Sequence, residues 1–325
     1  MERTTEEKFR ELKDAAEGRF RAKRHLAFDP AHSAVYGGVS GAGLAVDQFE
    51  IVEGLFLRRT FAHVMSPYLM AFAEPDAPSK LHPGPWRPVS GGNGFDLHIE
   101  IALAKGASPT NFDRVNTVWW TLSLLRLLTG MPLVLPVLSD TAFADAKDCV
   151  QDLQFWPVEM ARPRSGQLLA NQLISVDYLE VVRMLFVPGA TLMEIEHFNR
   201  AYKTMDAAPL AHSSGAAMVM MWAALETLYR PGQHQITKRL SKAIATHIAA
   251  PGLKREILQQ RAAKLYELRG SSVHNSHEAT GAVLAETADL VRLAFINCME
   301  QGTVPDADEL LRLWSAEHTG NQPKG

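Results

Sequence analysis

The chain has 325 residues, 46% of them hydrophobic and 21% charged, with a net charge of −3. That composition excludes a disordered chain, and the slight acidity (pI near 6.5) confines any nucleic-acid surface to a local patch, because the molecule as a whole does not attract polyanions. Two cysteines, Cys149 and Cys298, exclude a disulfide framework and fit a reducing compartment, the N-terminal Met-Glu-Arg-Thr-Thr shows no signal-peptide pattern, and the longest apolar run, residues 131–138, is too short to span a bilayer.

Within the soluble, cytoplasmic, two-core protein that this implies, residues 4–24 read as an amphipathic helix. Thr4 with Glu7 makes a capping box, and Phe9, Leu12, Ala16 and Phe20 follow one helical stripe. Its end collects Arg19, Arg21, Lys23, Arg24 and His25, which suits a solvated helix end or a partner contact better than an RNA contact. From about 30 to 165 the character changes. Glycine-rich turns at 36–43 and 90–94 separate candidate strands at 45–52, 55–64, 95–103, 133–138 and 156–161, interrupted by one strong helix over 111–128 with Val115, Trp119, Leu122, Leu125 and Leu128 on one side. Residues 76–88 are proline-rich and read as loop. Neither glycine-rich stretch is a phosphate loop: the first lacks the Gly-Lys-Ser/Thr ending and the second lacks a following apolar helix. The region is expected to be α+β with a mostly antiparallel sheet.

Residues 175–187 are compatible with either helix or strand, with Asp177 able to cap a short helix. From about 190 the pattern is helical throughout, over 191–205, 211–229, 235–249, 253–268, 279–300 and 307–317. Breaks fall at Pro209, Pro231-Gly232, Pro251-Gly252, Gly270 and the run 302–305. Short connections between these helices predict an antiparallel bundle, and the stretch 218–222, apolar nearly all round, should be its most buried helix. The expected organisation is an α+β N-terminal domain (1–185), an all-α bundle (190–318) and a disordered tail (319–325).

The run Leu265-Tyr266-Glu267-Leu268-Arg269-Gly270-Ser271-Ser272-Val273-His274 carries the chemistry. Arginine is a fixed cation with a planar fork of donors suited to phosphate, and histidine moves protons near neutral pH. Together they are residue types able to cut RNA without a metal, the histidine handling the protons and the arginine stabilising charge on phosphorus, although in a chain with 12 histidines such a pair also arises by chance. On a straight helix five residues turn about 140°, so either the helix breaks at Gly270 and the serines, or a second protomer completes the site. A plain alternative is that Arg269 caps carbonyls at a helix end and His274 is an ordinary interfacial histidine.

Glu226, inside the most apolar helix, needs a partner: Arg269, or Lys238 or Arg239 on the next helix. Ser271, Ser272 and Asn275 suit a phosphate oxygen or a helix cap. Tyr266 suits stacking on a base, or packing in the bundle. His277 and Glu278 follow His274 closely, but no second ligand pair joins them, so no metal site is expected. No cofactor fingerprint or hydrolase elbow is present.

The order of 222–229 (Trp-Ala-Ala-Leu-Glu-Thr-Leu-Tyr), then Lys238-Arg239-Leu240-Ser241, then 265–274 resembles the Apea-like branch of the HEPN superfamily, over about residues 190–300. The resemblance implies a helical bundle, a homodimer, and a metal-independent endoribonuclease with Arg269 and His274 as catalytic pair, Glu226, Ser271, Ser272 and Asn275 in support and Tyr266 against the RNA. Gly270 stands where the motif often has a polar residue. Members often act in bacterial defence against phage, with an unrelated N-terminal region that senses a trigger, such as a regulatory partner or a phage-derived factor. The other reading is a non-catalytic HEPN bundle for dimerisation or for RNA or nucleotide binding. Leu265, Leu268 and Val273 would be buried between the subunits.

Overall fold

The computed structural model describes residues 33–77, 80–149, 153, 155–159, 172–274 and 281–319. The expected helix over 4–24 with its basic end, the segment 320–325, and Asn275, His277 and Glu278 lie outside the described residues. Six strands, β1 (Val35–Ser40), β3 (Gln48–Val52), β4 (Leu55–Ala71), β5 (Trp86–Leu103), β6 (Val134–Ser139) and β7 (Phe155–Pro157), form one antiparallel sheet. Their order is β3-β4-β5-β1-β6-β7, and a short parallel pair joins β2 (Gly43–Leu44) to β8 (Leu173–Ile174).

Strand β1 runs through what the sequence suggests is a turn. Two glycines explain the difference. A Cβ at Gly37 would stand 2.5 Å from Val118 Cγ1, and one at Gly38 would stand 2.5 Å from Leu97 Cδ1. Their backbone is therefore pressed against neighbouring side chains in the middle of the sheet, where only glycine fits. The second glycine-rich stretch, 90–94, likewise lies in a strand, β5. Pairing of β4 with β5 runs from Leu55 opposite Leu103 to Ala71 opposite Trp86, whereas β3 flanks this hairpin only as far as Arg58 and β1 only as far as Ile99. Its far end is thus a two-stranded ribbon.

Helix α1 (Arg114–Thr129) covers one sheet face. Asp113 caps its start by accepting from Asn116 N–H at 2.8 Å, and Gly130 ends it with φ 66°. Helix α2 (Val176–Leu192) settles the ambiguity over 175–187. Ser175 is its N-cap residue, Asp177 sits in the first turn instead, and the helix continues through Pro188. Trp120 of α1 donates its indole N–H to the Phe186 carbonyl at 3.0 Å, and a Cβ on Gly189 would meet Trp120 and Met299 within 2.7 Å. Tertiary packing overrides the breaker signal of Pro188-Gly189.

The remaining helices are α3 (Glu196–Ala207), α4 (Ser214–Tyr229), α5 (Ile236–Ile248), α6 (Leu253–His274), α7 (Gly281–Gln301) and α8 (Ala307–Thr319). Helix α4, capped by Ser213, packs against α3, α5, α6 and α7, and Met218, Trp222, Ala224, Leu225 and Leu228 are fully buried. Gly270 does not end α6. The helix runs on to His274, since glycine in a helix costs only about 1 kcal/mol and no left-handed turn forms there. A single buried cluster takes in Leu57 and Ile101 of the sheet, Trp120 of α1, Phe186 of α2, Trp222 of α4 and Phe295 of α7. Among the described residues no helix is long and apolar enough to cross a membrane.

Candidate functional site

Helices α4 and α6 each present one face to the other, with residues spaced four apart on α4 and three apart on α6. Trp222 and Glu226 meet Tyr266 and Arg269. The Trp222 and Tyr266 rings stand edge to face, centroids 5.0 Å apart with an interplanar angle of 87°. The Tyr266 hydroxyl donates to Glu226 Oε1 at 2.8 Å, and Arg269 Nη1 donates to the same oxygen at 2.5 Å. The Arg269 guanidinium also lies over the Tyr266 ring, 4.3 Å from its centroid. Three contacts therefore fix one cation: a charged hydrogen bond, an aromatic face, and a phenol that holds the carboxylate in place.

The pair is neither buried nor free. The Arg269 side chain keeps 28% of its exposure and Glu226 keeps 33%, so the unused donors of the guanidinium remain within reach of an incoming phosphate oxygen. Burial, reinforced by the adjacent Glu226 carboxylate, pushes the Tyr266 phenol up to about 12. It stays a proton donor at neutral pH and is unsuited to act as a base. The charge partner of Glu226 is thus Arg269. Arg239 is engaged elsewhere, donating to the Pro231 carbonyl at 2.5 Å and to Asp308 at 2.6 Å.

His274 is the last residue of α6, and Ser271 and Ser272 occupy helical positions between it and Arg269. The helix is unbroken over this stretch, so the positions of Arg269 and His274 are separated by about 140° around the axis and about 7.5 Å along it. Helical geometry therefore does not put these two positions on one face. Leu265 requires a correction: it is 2% exposed and belongs to the chain's own core, so it has no surface left for a subunit interface. Leu268 is half-buried, and a Cβ on Gly270 would meet nothing within 4 Å.

Trp222 is the member of the cluster whose role the sequence leaves unstated. It stands four residues before Glu226, the spacing that puts both on one helix face, and that spacing was the available signal. Its indole N–H is buried and has no hydrogen-bond partner among the described residues. No group of three or more His, Cys, Asp or Glu side chains suited to a metal ion occurs among the described residues. No protein-family model matches this chain, and no curated protein and no solved structure matches it.

Proposed function

We propose that the helical region is a HEPN-type, metal-independent endoribonuclease that works as a homodimer in the cytoplasm, with RNA as substrate. The observation that carries this reading is the fixed Arg269 cation, held by Glu226 and Tyr266 five residues before His274 on one helix. In the proposed reaction the ribose 2′-hydroxyl attacks the adjacent phosphorus and the 5′-oxygen leaves. The products are a 2′,3′-cyclic phosphate and a 5′-hydroxyl. His274 transfers the proton, and Arg269 stabilises the charge that builds on the phosphoryl oxygens. Ser271, Ser272 and Asn275 add donors to the phosphate.

A twofold partner supplies the face that a straight helix withholds, since the same patch meets itself across such an axis. Glu226 beside each Arg269 offsets the repulsion of two neighbouring cations. The sheet-bearing N-terminal region then restrains the nuclease or senses a trigger such as a phage-derived factor.

The test is cleavage of total RNA in EDTA by the full chain, with His274→Ala and Arg269→Ala alongside. Each variant should lose on the order of a hundredfold or more of the activity. A wild type that never cleaves RNA, or a His274→Ala variant as active as wild type, overturns the proposal. A monomer by light scattering overturns the composite site.

One observation favours a second reading. Arg269 already satisfies Glu226 within its own chain, as a structural ion pair would, and Gly270 follows it. On that reading the bundle is a non-catalytic module for dimerisation or for RNA or nucleotide binding. Arg269→Ala then weakens assembly or binding and no RNA product forms. Wild-type toxicity that vanishes in Arg269→Ala with the dimer intact eliminates it.

A further inference from the structure

Where α1 ends and turns into β6, four segments leave a cleft of about 480 Å³ between them. Its floor is buried and apolar, made by Leu127, Leu133, Met205, Met221 and Val291. Its mouth is exposed, ringed by Gly130, Pro209, Gly281 and Ala285. Six residues of α7 line it, Gly281, Leu284, Ala285, Ala288, Val291 and Arg292, and three of them are glycine or alanine. Opposite stand Met205 and Met221, whose side chains adapt their shape to a neighbour.

The charges at the edge of the cleft decide what class of molecule fits. Arg126 donates to Glu159 at 2.5 Å, to Asp206 at 3.3 Å and to the Leu133 carbonyl at 2.8 Å. Asp206 also accepts from Ser123 Oγ at 2.7 Å. Arg292 donates to Asp289 at 3.1 Å and to the carbonyls of Leu127 and Leu128. Each cation already faces a carboxylate, so none is left over to hold an anionic ligand, and the extra carboxylate, Asp206, is buried and already accepts from both Arg126 and Ser123. Volume and lining match the usual small-molecule site, apolar with a few polar groups at one edge.

We propose that this cleft is a binding site for an uncharged, apolar small molecule. The site is independent of the nuclease reading.

The experiment titrates the full chain with the neutral fluorophore N-phenyl-1-naphthylamine. Saturable enhancement with one site per chain is expected. Ala285→Trp, which sets a ring across the mouth from an exposed position, should weaken binding at least tenfold. Leu81→Ser, which removes an apolar side chain 91% exposed on the β4–β5 loop, should leave binding unchanged. Absence of saturable binding, or equal binding by a folded Ala285→Trp variant, overturns the proposal. If circular dichroism shows that variant unfolded, Ala288→Leu replaces it under the same criteria. Tighter binding of the anionic dye 1-anilinonaphthalene-8-sulfonate at the same site refutes the uncharged class. Binding that appears only after residues 162–169 are deleted assigns the cleft to this chain's own segment and likewise overturns it.

Discussion

Replacing Glu226 tests whether the Arg269 cluster is held in place or merely adjacent. Glu226→Ala removes the acceptor of two hydrogen bonds at 2.5 and 2.8 Å and leaves the guanidinium on the Tyr266 ring without a counter-charge. A fully exposed pair would be worth under about 1 kcal/mol, and breaking a fully buried one costs about 3–5 kcal/mol. With the two side chains 28% and 33% exposed, the loss should be intermediate, about 2 kcal/mol. Glu226→Gln keeps an acceptor for both donors and loses only the charge, so it should cost about 1 kcal/mol. The assay is urea unfolding followed by tryptophan fluorescence, with Arg269→Ala and the double variant closing a cycle. A coupling energy of about 1 kcal/mol or more is expected. Additivity within about 0.3 kcal/mol would refute the clamp, and with it the argument that Arg269 is pre-positioned for a phosphate.

Three further outcomes concern the fold. His247, buried and bonded through Nδ1 to the Tyr229 hydroxyl at 2.7 Å, is pulled down to about 4 by burial. Between pH 6.5 and 4 the unfolded chain takes up a proton that the folded ring refuses. Stability therefore falls as pH falls through that window, by on the order of 3 kcal/mol, and His247→Gln should flatten this part of the urea-midpoint profile; parallel profiles would refute it. Gly37→Ala should destabilise by about 3 kcal/mol because its methyl would stand 2.5 Å from Val118. Gly270→Ala, facing open space, should instead stabilise by about 0.5 kcal/mol, and the reverse order of urea midpoints would sink the packing argument.

The helices over 111–128, 211–229, 235–249, 279–300 and 307–317 are legible within a few residues, because apolar spacing and breakers such as Pro209, Pro231-Gly232 and Pro251-Gly252 act locally. What stayed hidden depends on contacts distant in sequence. Gly37 and Gly38 look like a turn until Val118 and Leu97 are brought against them. Pro188-Gly189 looks like a stop until Trp120 binds the Phe186 carbonyl. Gly270 was read as a break because composition alone does not say which glycines adopt a left-handed backbone. At the site, Arg269 is one of three partners for Glu226 that the sequence leaves open, and the packing of α4 against α6 brings it there. The clamp of Trp222 and Tyr266 around it depends on the same packing.

The Arg292 guanidinium, reaching from α7 to the carbonyls of Leu127 and Leu128, ends a helix that belongs to the sheet. Trp120 and Phe186 continue the same join in the core. The sheet-bearing half and the bundle are therefore not interchangeable cassettes. A chimera joined near residue 188 would strip α1 of its Arg292 cap and separate Trp120 from Gly189, which packs beside its ring, so a helix end and a core contact would be lost together. Sequence change that leaves both contacts intact is confined to the rim, in the β4–β5 ribbon and the loops.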